Sequence, residues 1–178
     1  MNGAELRPWT KADKPALIRL CNQVDRRFLS GSLPYPYRIP DADLRLRTVE
    51  MRDGKTAVYR AIWTEERLVG CVIIEEREGI FSVDAEIGYL MLPEFTGRGL
   101  MTAAVRETCA LAFQMLPLAR ITGRCAAENA ASCRVLEKAG FQPEGRLRNA
   151  MHKNGMMQDI LLYGLLRPET LPPVPVRS

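Results

Sequence analysis

Histidine is almost missing from this 178-residue sequence, with His152 as the only example. A histidine-rich metal centre is therefore excluded, and a Ser-His or Cys-His catalytic pair would have to use that one residue. Beside a hairpin turn, His152 reads as an exposed strand-end residue. Cysteine is sparse as well. Cys21, Cys71, Cys109, Cys125 and Cys133 are odd in number, widely spaced and free of any Cys-x-x-Cys. They read as buried free thiols and not as a disulfide frame or a zinc site. No apolar run approaches the roughly 18 residues that would span a bilayer. The opening MNGAELRPWTK lacks the apolar stretch of a signal peptide, so the cytoplasm is the expected compartment. The net charge of +4 is mild, and Lys and Arg are spread among 21 acids. Without a concentrated basic stripe, neither DNA nor a membrane is an expected partner.

The glycine loops of the common nucleotide sites are absent too. A P-loop would need Gly-Lys-Ser/Thr after its first glycine, and a dinucleotide fingerprint would need a third glycine where Thr102 stands. What the chain does have is a strand, a Gly97-Arg98-Gly99 turn and a helix, within residues 84–113. Ala85 to Leu92 reads as an apolar strand. Met101, Val105, Cys109 and Ala112 then fall at near-helical spacing, while Arg106, Glu107 and Gln114 stay wet. Glycines on either side of Arg98 let backbone approach a ligand, and the N–H groups of Gly97 through Met101 are the orphan donors of a helix start. Such a turn binds anions.

The rest of the chain reads as one domain, residues 1–167, followed by a loose Pro-rich tail, residues 168–178. An edge strand at Glu5 to Trp9 leads to a helix capped by Asp13 with Pro15 in its first turn. Residues 22–40 form an aromatic, Pro-rich surface loop. It reads either as a substrate wall or as a loop whose tyrosines cover the core. Asp41 and Asp43 then cap a helix from Leu44 to Arg52. Strands follow at Thr56 to Thr64 and Leu68 to Glu76, turned at Glu65-Glu66-Arg67, and Ile80 opens the run into the central strand. After that strand's helix come a strand at Ile121 to Ala127, a helix over Ala130 to Lys138 capped by Asn129, and a hairpin turned at Lys153-Asn154-Gly155. Strands in succession with few helices between them predict a mixed sheet, not a doubly wound one.

Several blocks together resemble the RimJ/RimL-type branch of the GNAT acetyltransferase superfamily. Thr96-Gly97-Arg98-Gly99-Leu100-Met101 is similar to its acyl-CoA loop, Gln/Arg-x-x-Gly-x-Gly/Ala, with Thr96 and Met101 departing at the ends. Asn129 to Gly145, Arg148 to Tyr163, Leu6 to Trp9 and Ala85 to Tyr89 match further blocks, so the resemblance covers Glu5 to Leu166. It implies an α+β fold, a mixed and mostly antiparallel sheet of six or seven strands with helices on both faces, splayed after Leu90 of the fourth strand. It also implies acetyl-CoA as cosubstrate and a primary amine as acceptor, either a protein N-terminus or a small molecule. A homodimer is compatible with it. Backbone at Leu90, Met91 and Leu92 would pair with the pantetheine. Thr96, Gly97, Arg98, Gly99, Leu100 and Met101 would hold the pyrophosphate, Asn129 would contact the pantetheine, and Arg98 and Arg134 would offset phosphate charge.

The reaction implied is attack of an amine on a thioester. An α-amino group with a pKa near 8 is largely protonated at neutral pH, so a base or a water chain must take its proton. Glu86, in an apolar strand, is the candidate base, with burial raising its pKa. A backbone N–H near Met91 is the candidate oxyanion donor. Many of these enzymes place a tyrosine seven residues after the asparagine to protonate the leaving thiolate, and here Leu136 stands there. Ser132 is the candidate substitute, with Tyr89 and Tyr163 as weaker ones. An alternative reading is a CoA-binding regulatory module with little catalysis.

Overall fold

The computed structural model describes residues 3–29, 31, 33–65, 67–153, 155–172 and 174. Its centre is a seven-stranded sheet in the order β1-β2-β3-β4-β5-β7-β6. The strands are β1 Glu5–Arg7, β2 Ala57–Thr64, β3 Arg67–Glu76, β4 Asp84–Met91, β5 Arg120–Ala126, β6 Gln142–Lys153 and β7 Met156–Leu166. The β4–β5 pair is parallel and its neighbours in the order are antiparallel, as expected of a mixed, mostly antiparallel sheet.

Alternation along the strands decides which helix meets which face. Ala85 and Ile87 of β4 share a cluster with Met101, Val105 and Cys109 of α3 (Leu100–Met115) and with Cys133 and Leu136 of α4 (Ala130–Ala139). Leu90 faces the other way and packs near Ala16 and Leu20 of α1 (Lys14–Gln23). The last helix, α2 (Ile39–Arg52), lays Ala42 and Leu46 against Leu17 and Cys21 of α1, and Val49 against Ala57 and Tyr59 of β2. Helices therefore cover both faces of β2, which is buried without alternation from Ala57 to Ile62. Fully burying one Ile or Leu contributes about 1.5–3 kcal/mol, so this strand anchors the sheet. All five cysteines are buried free thiols.

Local chemistry explains where the helices begin. Asp13 does not cap α1 with its side chain. Its carboxylate accepts the Thr10 N–H at 2.7 Å and the Thr10 hydroxyl at 3.0 Å, holding a 3₁₀ turn, Lys11–Asp13, that feeds the helix. Likewise α2 starts at Ile39 and not at Leu44. Asp41 lies inside its first turn, where its carboxylate accepts the Arg38 N–H at 2.7 Å, and Pro40 sits where a helix has no N–H partner to lose. Ile80 opens no strand. Gly79–Phe81 is a 3₁₀ turn that leaves Ile80 89% exposed, and β4 begins at Asp84.

The two sequence-read hairpin turns include Glu66 and Asn154, which lie outside the described residues. The flanking pairs Thr64↔Arg67 and Lys153↔Met156 close both hairpins. Of the tail, residues 173 and 175–178 also lie outside the described residues. Its start is tied down and not loose, because Arg167 donates to the carbonyls of Phe113 at 2.7 Å and Pro172 at 2.9 Å. Among the described residues no helix is long and apolar enough to cross a membrane.

Candidate active site

The parallel strands β4 and β5 pair only where Asp84–Ile87 faces Arg120–Gly123. Beyond that point β4 stays with β3 and β5 stays with β7, so the two part and leave a wedge. The wedge opens after Ile87 and not after Leu90, and Tyr89, paired with Val72 of β3, sends its side chain across the opening to α4. Its hydroxyl lies 2.7 Å from Ser132 Oγ and donates toward the Ser132 carbonyl at 3.1 Å. Burial raises the Tyr89 phenol above its ordinary pKa. Ser132 sits in the first turn of α4, and its N–H donates to Asn129 Oδ1 at 3.1 Å, so Asn129 is the expected N-cap.

At its far end β4 runs through Leu92, whose N–H donates to the Val69 carbonyl at 2.8 Å, into the 3₁₀ turn Pro93–Phe95. Gly97 and Gly99 then take φ of 75° and 76°, left-handed backbone that glycine adopts without penalty. A Cβ on either would meet nothing within 4 Å, so backbone angle, not crowding, calls for glycine there. Gly99 is the N-cap of α3. Among the described residues, the N–H groups of Gly97 through Thr102 meet no backbone carbonyl, and the first such bond is Ala103 to Gly99 at 3.1 Å. Convergent N–H donors at the positive end of a long helix make a cradle for an anion.

The two departures in this loop do not obstruct it. The Thr96 hydroxyl donates to the Pro93 carbonyl at 2.7 Å and closes the turn, and the Met101 side chain is buried in the main core cluster. Leu100 is buried beside it, while Arg98 stacks over the Phe95 ring at 5.2 Å and Arg134 is exposed on α4.

Glu86 departs from expectation. Alternation turns it to the face opposite Ala85 and Ile87, past the reach of α1 and α2, where its side chain is 45% exposed and not buried. It pairs with Arg77 at 3.2 Å and more distantly with Arg124 at 3.9 Å. Around it runs a polar chain that apolar periodicity does not mark. Arg77 also meets Asp84 at 3.4 Å, Thr122 donates to Asp84 at 2.9 Å, and Arg120 joins Glu144 at 2.5 Å. Glu75 lies opposite Glu86 in the β3–β4 register and accepts from the Tyr59 hydroxyl at 2.5 Å. Charges at every second position of neighbouring strands were the available signal. Between Glu86 and Leu90, Gly88 is exposed and a Cβ on it would meet nothing within 4 Å, leaving bare backbone on the Glu86 face.

The aromatic loop before α2 is mixed in role. Tyr37 is buried and covers the core, while Tyr35 is exposed with the Arg26 guanidinium 5.0 Å from its ring. The Lys153 ammonium donates to the carbonyls of Arg26, at 2.7 Å, and Leu29, tying the β6–β7 hairpin tip to this loop. Tyr163 is a packed aromatic that donates to Glu137 at 3.0 Å, and His152 is exposed near the end of β6. Leu136 is 1% exposed and packs over Gly123, where a Cβ would meet its methyl carbon at 2.9 Å.

A wedge between parted parallel strands, ending at an anion cradle, defines a site for an extended ligand with a phosphate group. The chain belongs to the acetyltransferase (GNAT) domain family, whose model matches residues 4–142. Three Bacillus subtilis (strain 168) proteins are 42%, 37% and 38% identical to it over 46%, 59% and 48% of their lengths. The chain thus spans about half the length of these curated relatives. Ribosomal-protein-serine acetyltransferase of Escherichia coli (strain K12) is 26% identical over 84% of each chain. Spermidine N(1)-acetyltransferase of Vibrio cholerae is 25% identical over 83% of this chain and 84% of its own. In fold, the ribosomal-protein-S5-alanine acetyltransferase of Vibrio fischeri superposes with a TM-score of 0.80 at 21% identity, covering 97% of both chains.

Proposed function

We propose that this protein transfers the acetyl group of acetyl-CoA directly to a primary amine. The observation that carries the reading is the wedge itself, with the Gly97-Arg98-Gly99 cradle at one end and Glu86 beside the bare Gly88 backbone on the opposite face. In this reading the cradle from Thr96 to Met101 takes the pyrophosphate. The β4 backbone of Leu90, Met91 and Leu92 meets the pantetheine, helped by the Asn129 side chain, and Arg98 and Arg134 offset phosphate charge. The amine approaches over Gly88, Glu86 takes its proton, and an N–H near Met91 meets the developing oxyanion. Ser132 meets the leaving sulfur. Acceptors of both kinds suggested by the relatives' names, a protein N-terminus and a polyamine-like small molecule, fit an amine approaching the exposed Glu86 carboxylate. The setting we propose is one cytoplasmic domain over residues 1–167, alone or as a homodimer.

The test is a calorimetric titration with acetyl-CoA, followed by a panel of amines and N-terminal peptides monitored for free thiol. Micromolar binding with thiol release on one acceptor class is the expected result. Binding without release on any acceptor would favour a CoA-binding regulatory module, and absence of binding would end the reading. The protein's own thiols should not confuse the assay. Burial pushes Cys21 up to about 11 and Cys71 and Cys109 up to about 12. Thiolate is the reactive form, so these three thiols should stay nearly silent toward a thiol reagent at mildly alkaline pH until the protein is unfolded.

Gly99→Ala tests the cradle. Forcing a side chain into the left-handed region costs about 1–2 kcal/mol, so the turn should relax and acetyl-CoA affinity should fall by roughly tenfold. An unchanged Kd would remove the turn from the site.

A further inference from the structure

Tyr89 and Ser132 belong to opposite walls of the wedge, one on β4 and the other in the first turn of α4, yet their hydroxyl oxygens lie 2.7 Å apart. A phenylalanine would fill the same apolar space, and a hydroxyl on that face costs free energy unless it is used. A hydroxyl carries one proton and two acceptor lone pairs, and the phenol is the more acidic partner of this pair. Tyr89 has one proton, and shared between Ser132 Oγ at 2.7 Å and the Ser132 carbonyl at 3.1 Å as a three-centre bond it accounts for both contacts. The Ser132 oxygen then accepts, and its own proton is left to turn elsewhere.

Resting on the acetyl-transfer reading above, we infer that Tyr89 is a positioning residue for the leaving sulfur. By donating to Ser132 Oγ it aims the Ser132 O–H into the wedge, at the sulfur of the departing CoA. As the amine nitrogen bonds to the carbonyl carbon, the C–S bond breaks and its electron pair goes to sulfur. One ammonium proton leaves through Glu86 to water before the attack, and the nitrogen gives up a second by the same route as the amide forms. Neither Ser132 nor Tyr89 loses its proton; they hold the thiolate by a hydrogen bond until solvent protonates it. The positive end of α4, where Ser132 sits, favours the same anion.

The readout is the ratio of acetyl-CoA to CoA dissociation constants, measured from about pH 6.5 to about pH 9.5, a range that brackets the ordinary thiol value near 8.5. Acetyl-CoA has no titrating sulfur, so the ratio cancels everything the two ligands share. That includes the titrating thiols that face the pair, Cys109 on α3, Cys125 on β5 and Cys133 on α4. A site that donates to the thiolate lowers the bound thiol's pKa, so CoA must gain affinity as pH rises toward and through the free thiol value. A gain of about tenfold is expected for the native protein, since one unit of pKa is tenfold in affinity. Tyr89→Phe, which keeps the ring and its packing, should cut the gain to about threefold or less. Ser132→Ala should abolish it, and the double variant should match Ser132→Ala, because the two act through one bond.

A Tyr89→Phe protein with the native pH-dependent gain would overturn the inference. Native protein that binds both ligands with a flat ratio would overturn it while leaving the acetyl-transfer reading standing. Native protein that binds neither would remove both.

Discussion

Glu86→Gln is expected to lower turnover by about a hundred- to ten-thousand-fold, the range that a positioned general base supplies, while leaving the Kd for acetyl-CoA unchanged. The substitution keeps size and hydrogen bonding and removes only the capacity to hold a proton. Its structural cost should be small. The Glu86 side chain is 45% exposed and its Arg77 and Arg124 partners lie at 3.2 and 3.9 Å, and exposed ion pairs contribute about 0–1 kcal/mol. Loss of turnover with an unshifted Tm would therefore report on chemistry. Exposure changes the picture drawn from sequence, in which burial tuned the base. Glu86 instead sits open to water beside Gly88, where an ammonium can pass its proton directly or through one water. Glu75 is the control, being the register partner of Glu86 on β3 but already engaged by Tyr59 and Arg52. Free-thiol release at saturating acetyl-CoA is the measurement. Turnover of Glu86→Gln within about threefold of native, against the hundredfold or more a base should supply, would take the role from Glu86.

Most of the fold was legible because apolar period is a local signal. Met101, Val105, Cys109 and Ala112 lie on one face of α3 at the spacing that marks them, and Asn129 caps α4 as its residue type suggests. What stayed hidden depends on a partner far along the chain. Nothing in Asp84 to Met91 says that β5 will leave it after Ile87. Glu86 looks buried within an apolar strand, yet the strand alternates, and α1 and α2 cover only the other end of that face. Asp41 was read as a cap preceding a helix, whereas it reaches back from inside the first turn to the Arg38 N–H. Tyr89 reads as a weaker candidate than Ser132, and the role we infer for it rests on a contact across 43 residues of sequence. The glycine turn was the reverse case, since positive φ at Gly97 and Gly99 is written in the residue type itself.

Leu136→Tyr, which places at this position the tyrosine that the family resemblance leads one to expect, should lower stability by about 2–6 kcal/mol and bring no gain in thiol release. The Leu136 side chain is 1% exposed, and its methyl carbons lie 2.9 and 3.0 Å from where a Cβ on Gly123 would be. The glycine and the leucine therefore fit each other, and a phenol ring would have to push β5 and α4 apart. Overpacking of a filled core costs about 1–3 kcal/mol, and a buried hydroxyl without a partner adds about 1–3 kcal/mol. Against a total stability on the order of 5–15 kcal/mol, a fall in Tm on the order of 10 °C is expected for a chain of this length. Ser132 lies one turn nearer the helix start on the same side as Leu136, since residues four apart are neighbours on a helix surface. From there its hydroxyl reaches the wedge and Tyr89 while Leu136 fills the core. Donation to the sulfur is thus assigned to a position where the packing leaves room. Thermal unfolding and free-thiol release measured on the same preparation check the claim. A Leu136→Tyr protein that melts at the native temperature and releases thiol faster would show that the space over Gly123 is open, and the Ser132 assignment would fall with it.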